Sequence, residues 1–346
     1  MLLIPFLDCG HSLEQQIIQD WSNIMQVTAV KRMQPLTSET NPVHGKVRWS
    51  PAKSLWWMFH FTLTILAVVY YFSWSSLVVF GVLTVLTICL GHTIGLHRLI
   101  IHRSFSTYKW LEYVLVHLGT LVGMGGPFDM LRLHDIRDWA QRHPKCHPFF
   151  IHKSPIWKDA LWNLHCTIKL ESPPRFTIEV EIRENRIYYL MQKTWMLQNL
   201  PLALLLYSTG GIGWVLWGIS VRIIVSLFGH WCIGYFAHNI GERDYHLEGH
   251  SVQGYNLEHF GMLTMGECWH NNHHAYPESA RLGHHPHQHD PGWWALLTLQ
   301  RVGLVWDLKT PEHLPVRSEV TKLKGLPDQI VYEEFDPAVE LPLAEN

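Results

Sequence analysis

Histidine is the residue type in this chain that could do chemistry, with 25 copies against 27 lysines and arginines together. The densest group is His270-Asn271-Asn272-His273-His274. On a helix, side chains three and four positions apart share one face, so these three imidazoles would converge. Neutral imidazole is the commonest protein ligand for metals. A patch of unrelated surface histidines would not explain that convergence, so the cluster predicts a metal site.

A second pair, His97 and His102, follows directly after a long apolar stretch. Residues five positions apart lie about 140° from each other on a regular helix. Both could therefore face one metal centre only at a helix end or kink, or by binding it from different sides. The spacing alone is weak evidence, but its position at the end of an apolar segment favours a shared site.

Long apolar segments must position these histidines. Four stretches could cross a membrane, at residues 55–72, 77–95, 190–207 and 212–234. About 20 helical residues span the ~30 Å hydrocarbon core. Short polar segments, residues 73–76 and 208–211, separate the members of each pair, which predicts two hairpins. A charged fraction of only 16% and 17 tryptophans also suit a protein that lies in a lipid bilayer.

The orientation follows from the basic residues. Neither hairpin turn contains Lys or Arg, whereas basic residues flank the other ends of the spans. The positive-inside rule then places both termini and every histidine cluster on the cytoplasmic side of a bacterial inner membrane or an endoplasmic-reticulum-type membrane. A fifth apolar stretch, residues 110–126, is shorter and contains Glu112 and His117, so we expect an interfacial helix. Arg222 lies inside the fourth span, and two interpretations stay open: it pairs within the bundle, or it faces the site.

These observations predict an all-α integral membrane protein with four transmembrane helices. Residues 1–50 would form an N-terminal cytoplasmic extension, residues 51–310 the membrane domain, and residues 311–346 a polar C-terminal tail. Residues 96–186 and 235–310 would form a cytoplasmic helical cap that contains the histidines. The formal net charge of −2 gives no basic footprint, which argues against a nucleic-acid partner.

Two of the histidine segments resemble those of a known family. GHTIGLHRLIIHRSF (residues 91–105) and HNNHHAYPESAR (residues 270–281) resemble the first and third histidine boxes of the acyl-CoA and acyl-lipid fatty acid desaturases. FAHNIGERDY (residues 236–245) resembles the segment that carries an additional iron-ligating histidine of that family, here His238. The family's site-facing asparagine, four residues earlier, is Gly234 here. The resemblance covers residues 50–310.

The middle box departs from the family pattern HxxHH. In the gapless register it reads His134-Asp135-Ile136-Arg137-Asp138, so only the first histidine is kept. Arg137 cannot be a ligand while it keeps its charge. Asp138 can bind iron through its carboxylate and shares a helix face with His134, so we expect it to substitute for a lost histidine.

An alternative register places the middle box at His143 and His147. It requires an insertion of nine residues relative to the gapless register, and Pro144 would interrupt a helix there. We favour the gapless register, while His143, His147 or His152 remain possible replacement ligands.

The resemblance implies an O2-dependent membrane desaturase that introduces a double bond into a fatty acyl chain with two non-haem irons. The expected ligands are His97, His102, His134, Asp138, His238, His270, His273 and His274. The electrons would come from an external donor, such as ferredoxin, cytochrome b5 or a reductase. Two alternatives remain: a di-iron hydroxylase of lipid or hydrocarbon, and a non-catalytic homologue that binds metal.

Overall fold

The structure, a computed structural model, describes residues 32–323. Most of the predicted N-terminal extension and the last part of the predicted tail lie outside the described residues. The described part is mainly helical. Its helices are α1 Pro51–Tyr70, α2 Trp74–Ile101, α3 Lys109–Leu121, α4 Pro127–Gln141, α5 Pro148–Ile151, α6 Ile156–His165, α7 Val180–Arg183, α8 Arg186–Thr194, α9 Asn199–Val215, α10 Arg222–Phe236, α11 His270–Ala275 and α12 Pro291–Arg301.

Three helical runs within residues 32–323 are long and apolar enough to cross a membrane: Pro51–Tyr70, Trp74–Ile101 and Asn199–Phe236. The first two begin at serine caps, where Ser50 accepts from Lys53 N and Ser73 accepts from Ser76 N. A side-chain oxygen in this position satisfies an amide that has no partner inside the helix. The structure thus confirms a helical protein of membrane type, while the number of crossings stays a prediction.

The third run folds back on itself at Gly211, whose φ of 74° and ψ of −167° are not helical. Leu206 packs with Ile219 and Ile223 beyond the turn. In a straight helix, residues 206 and 219 would lie about 20 Å apart at 1.5 Å per residue, so the contact requires a hairpin. The turn lies within the polar segment 208–211 that the sequence indicates. A π-helical segment, Leu216–Val221, joins α9 to α10.

Helix α3 packs closely against α2 because both helices have glycines, which carry no side chain, at the contact. A Cβ atom at Gly95 would lie 2.4 Å from the backbone oxygen of Leu115, and one at Gly91 would lie 2.3 Å from the backbone of Leu118. Glu112 is buried on α3 and contacts the hydroxyl of Tyr188. The helix predicted to be interfacial is therefore held firmly against the second apolar run.

Two buried arginines hold distant segments together. Arg98 donates to the Asp290 carboxylate at 2.7 Å and to the Ala280 carbonyl at 2.6 Å, which fixes the C-terminal part of the chain to the end of α2. Arg222 donates to Asn199 Oδ1 at 2.7 Å and to the Leu121 carbonyl at 2.8 Å. Of the two interpretations of Arg222, the structure supports pairing within the helix bundle.

Short antiparallel strands, which an all-α prediction does not contain, fasten the segments around the helices. Their pairs are β1 Met33–Gln34 with β5 Arg175–Phe176, β2 Gly45–Trp49 with β4 Cys166–Leu170, β3 Ser106–Thr107 with β7 Val305–Trp306, and β6 Tyr245–Leu247 with β8 Val320–Lys322. The last pair anchors the described part of the C-terminal tail beside the histidine-bearing helix α11. Arg317 adds to this anchor by donating to the carbonyls of His274 and Ala275.

Candidate metal centre

Four histidines from three segments form one cluster. His97 and His102 come from the end of α2, His134 from α4 and His273 from α11, and their ligand atoms all lie within 4.8 Å of one another. His102 Nε2 and His134 Nε2 are 3.2 Å apart. The sequence placed each of these four residues in the site, and the structure brings them together.

A π-helix explains how His97 and His102 can share a face. The second half of α2, Leu86–Ile101, is π-helical, with hydrogen bonds between residues five positions apart. The amide of His102 itself donates to the carbonyl of His97 at 3.0 Å. Five positions therefore correspond to about one turn here, and the two rings lie with their centroids 4.8 Å apart. A regular helix would have directed them apart.

Three further histidines form a second cluster next to the first. It consists of His238, just after α10, and of His270 and His274 on α11. His270 Nε2 lies 3.1 Å from His238 Nε2 and 3.0 Å from His274 Nε2. Since His273 on the same helix belongs to the first cluster, α11 serves both groups. Among residues 32–323, these are the groups of three or more potential ligands that could hold a metal ion.

The donor atoms fit a metal ion at each cluster. Metal–imidazole bonds of about 2.1 Å that meet at a right angle would place two nitrogens about 3.0 Å apart. The observed separations of 3.0–3.2 Å between Nε2 atoms match this spacing. Imidazole nitrogens are also suitable ligands for iron and other transition metals. Both clusters therefore suit metal ions held by nitrogen.

The protein environment keeps the imidazoles in the neutral form that a metal requires. Burial is the main cause, followed by neighbouring histidines, of pKa values well below the usual range for His102, His238, His270 and His273. Burial also lowers the pKa of His274 to about 4, against the opposing charge of Asp138. A buried neutral imidazole has a free lone pair at neutral pH and pays no proton-release cost when it binds a cation.

Two carboxylates that the sequence analysis missed lie beside histidines of the first cluster. Glu267 Oε2 lies 2.8 Å from His97 Nδ1, and Asp135 Oδ1 lies 3.3 Å from His134 Nδ1. Arg32 holds Asp135 in place at 3.1 Å. A carboxylate on the second nitrogen of a ligating histidine fixes the tautomer and the ring orientation. Asp135 is adjacent to a predicted ligand, whereas nothing in the sequence around Glu267 marks its role.

An asparagine network shapes the segment that contains His270, His273 and His274. Asn256 Oδ1 accepts from the Asn271 amide at 3.0 Å, and its Nδ2 donates to Asn272 Oδ1 at 2.9 Å. Asn271 Nδ2 in turn donates to the carbonyls of Tyr245 and Gly254. All three asparagines are buried, so these bonds are required to satisfy their polar groups. The two asparagines between the histidines thus hold α11 in position.

The altered middle box places Asp138 near the second cluster but not within it. Asp138 Oδ2 accepts from Arg142 Nη2 at 2.6 Å. Burial acts to raise its pKa, but the charges of Arg142, His134 and His274 outweigh this and lower it to about 2. Asp138 is therefore a carboxylate in the electrostatic neighbourhood of both clusters, and its role as a ligand stays a prediction.

The two histidines of the alternative register, His143 and His147, contact backbone atoms. His143 Nδ1 lies 2.8 Å from the Trp139 carbonyl, and His147 Nδ1 accepts from the Phe149 amide at 3.1 Å. Neither residue belongs to a metal-type cluster. His134, the first histidine of the gapless register, does belong to one.

Long apolar helices together with seven histidines in two adjacent clusters are typical of a membrane-type protein with candidate metal sites. No protein-family model matches the chain. It is 36% identical over 239 residues to an sn-1 stearoyl-lipid 9-desaturase of Anabaena variabilis, covering 69% of this chain and 85% of that protein. It is 32% identical over 274 residues to an sn-1 stearoyl-lipid 9-desaturase of Synechocystis, covering 78% and 84%. An acyl-CoA C20 Delta5-desaturase of Anemone leveillei is 29% identical over 250 residues, covering 71% and 78%.

The chain belongs to the membrane fatty acid desaturase family. It is therefore an oxidoreductase of the desaturase type, and the resemblance to that family is confirmed.

Proposed function

We propose that the protein is an O2-dependent desaturase that uses two non-haem irons to introduce a double bond into a fatty acyl chain. The observation that carries this proposal is the pair of adjacent histidine clusters. Within them, Nε2 atoms lie 3.0–3.2 Å apart, the spacing expected for two nitrogens that bind one metal ion. Iron supplies the activation of dioxygen that removal of hydrogen from an unactivated methylene demands. The relatives named above act on stearoyl-lipid and acyl-CoA substrates, which supports an acyl substrate here.

In this proposal His97, His102, His134 and His273 hold one iron, and His238, His270 and His274 hold the other. Asp138 is a further candidate ligand of the second iron, because His274 lies within range of its charge. Glu267 and Asp135 keep the rings of the first group in their ligating orientation. The short segment α11 supplies ligands to both groups and so fixes their separation.

The long apolar helices would anchor the protein in the membrane. Two hairpins that turn at residues 71–73 and at Gly211 would leave both histidine-bearing ends on one side, the cytoplasmic side by the positive-inside rule. An acyl chain is apolar and would reach the site from the bilayer. A separate electron donor, such as ferredoxin, cytochrome b5 or a reductase, would supply the electrons from the cytoplasm.

The test is the fatty acid profile of cells with and without the expressed chain, together with the iron content of the purified protein. We expect new monounsaturated acyl chains and two irons per chain. His270→Ala should abolish the product, whereas His285→Ala, in which the lost side chain is 38% exposed and pairs with Asp244, should leave it unchanged. Hydroxylated acyl chains would identify a hydroxylase instead, and a protein without iron would refute the proposal.

A further inference from the structure

His152 has the surroundings of a metal-ligating histidine, although no histidine box contains it. It follows α5, its side chain is 2% exposed, and its backbone has a φ of 53°, which is unusual for a residue with a side chain. Its Nδ1 lies 2.8 Å from the carboxylate of Asp159, which is fully buried. Carboxylate-oriented imidazoles of this kind are typical of metal ligands, because the carboxylate leaves the lone pair on Nε2.

The imidazole of His152 lies next to His238 of the three-histidine cluster, although its nitrogens are not among the ligand atoms grouped there. Its ring stacks on that of His238, with centroids 5.3 Å apart and an angle of 9° between the planes. The space that it fills exists because residue 234 is glycine: a Cβ atom there would lie 3.3 Å from His152 Nε2. The chain thus has an imidazole where the desaturase pattern would have placed an asparagine side chain.

What faces the lone pair of His152 is a guanidinium group. Arg137 Nη1 contacts His152 Nε2, and Arg137 Nη2 donates to Asn163 Oδ1 at 2.8 Å. Arg137 occupies the position of the second histidine of the middle box. A metal ion and a guanidinium cannot use the same lone pair, so the two cations compete for His152.

The displaced guanidinium of Arg137 could bind the carboxylate of Asp159. Asp159 Oδ1 already accepts from Trp231 Nε1 at 2.8 Å and from Asn163 Nδ2 at 3.1 Å, but Asp159 Oδ2 is buried without a hydrogen-bond partner. A buried carboxylate oxygen without a donor is costly. Asn163 connects both groups, since it touches Arg137 as well as Asp159. The same network can therefore receive the arginine once its nitrogen leaves His152.

We propose that His152 is the fourth histidine ligand of the metal site formed by His238, His270 and His274, and that Arg137 competes with the metal for its Nε2. His152 would then replace, from a different segment, a histidine that the middle box has lost. The inference rests on the proposed function for the identity of the metal, but it makes a separate statement about which residues bind it.

The experiment is metal titration of the full-length protein in detergent, first stripped with a chelator and then loaded with Co2+, whose visible spectrum reports the ligand set. We expect the wild type to bind two ions per chain and His152→Ala to bind one tightly. His147→Ala is the matched control, since its ring lies in the same loop but bonds to backbone, and it should keep both ions and an unchanged spectrum. Asp159→Asn, which removes the orienting carboxylate, should weaken the second ion by about 10- to 100-fold.

Arg137→Met should change the affinity for the second ion in the opposite direction. Without the guanidinium, the second ion should bind more tightly, and this gain should vanish in the double variant Arg137→Met/His152→Ala. A His152→Ala protein that keeps two ions and the wild-type spectrum would overturn the assignment, as would loss of the second ion in Asp138→Ala together with its retention in His152→Ala. A wild-type protein that binds fewer than two ions would instead refute the proposed di-iron function.

Discussion

Replacing Glu267 by glutamine tests whether the four-histidine cluster binds a metal through rings that a carboxylate orients. The substitution keeps the shape of the side chain and removes a negative charge 2.8 Å from His97 Nδ1. Burial acts to raise the pKa of Glu267, but His97 and then Arg98 hold it well below its usual range, so the group is a carboxylate at neutral pH. Loss of such a partner of a ligating histidine costs about 10- to 100-fold in metal affinity, or about 1.4–2.7 kcal/mol.

The measurement is competition between the purified protein and a chelator of known affinity, with iron content and acyl product recorded for the same preparations. Glu258→Gln is the control, because that carboxylate is 36% exposed and lies 3.8 Å from the surface residue His287. We expect Glu267→Gln to bind one of the two proposed metal ions more weakly and Glu258→Gln to match the wild type. Equal affinity in both variants would show that Glu267 does not support a ligand.

Three further outcomes follow from the packing and from the proposed metal sites. Gly95→Ala should destabilise the protein by about 1–3 kcal/mol, since its Cβ would meet the backbone of Leu115, whereas Gly81→Ala, with open space around it, should not lower the melting temperature in detergent. Asp290→Asn leaves the buried Arg98 without its counter-charge and should cost about 3–5 kcal/mol by chemical denaturation; a stability equal to the wild type would contradict the role of this pair. Chelation of the metals should lower the melting temperature and re-addition of Fe2+ should restore it, because a ligand that binds only the folded state stabilises it.

Much of the site could be predicted because helical spacing links residue order to direction. His270, His273 and His274 recur at three and four positions, so any helix that contains them presents all three on one face. Which of the two clusters each of them joins depends on the fold. The positions of Ser50, Ser73 and Gly211 follow equally from local chemistry, since caps and turns favour such residues.

Other features depend on contacts that no local pattern encodes. The π-helix that aligns His97 with His102 forms where α2 packs against α3, and Gly91 and Gly95 on α2 permit the close approach. The two-residue strands have no periodicity that would distinguish them from loops. Glu267 lies far from His97 in the sequence, and only the fold shows that they meet.

The middle box shows most clearly why sequence and structure are both required. Read locally, His134-Asp135-Ile136-Arg137-Asp138 predicts that one histidine ligand survives and that the nearest carboxylate replaces another. In three dimensions, Arg137 reaches away from its own helix to His152, and Asp138 pairs with Arg142. A lost ligand need not be replaced from the same helix turn, because any side chain whose backbone passes the site can supply the lone pair. The glycine at position 234 makes room for such a side chain, and the carboxylate of Asp159 already directs it.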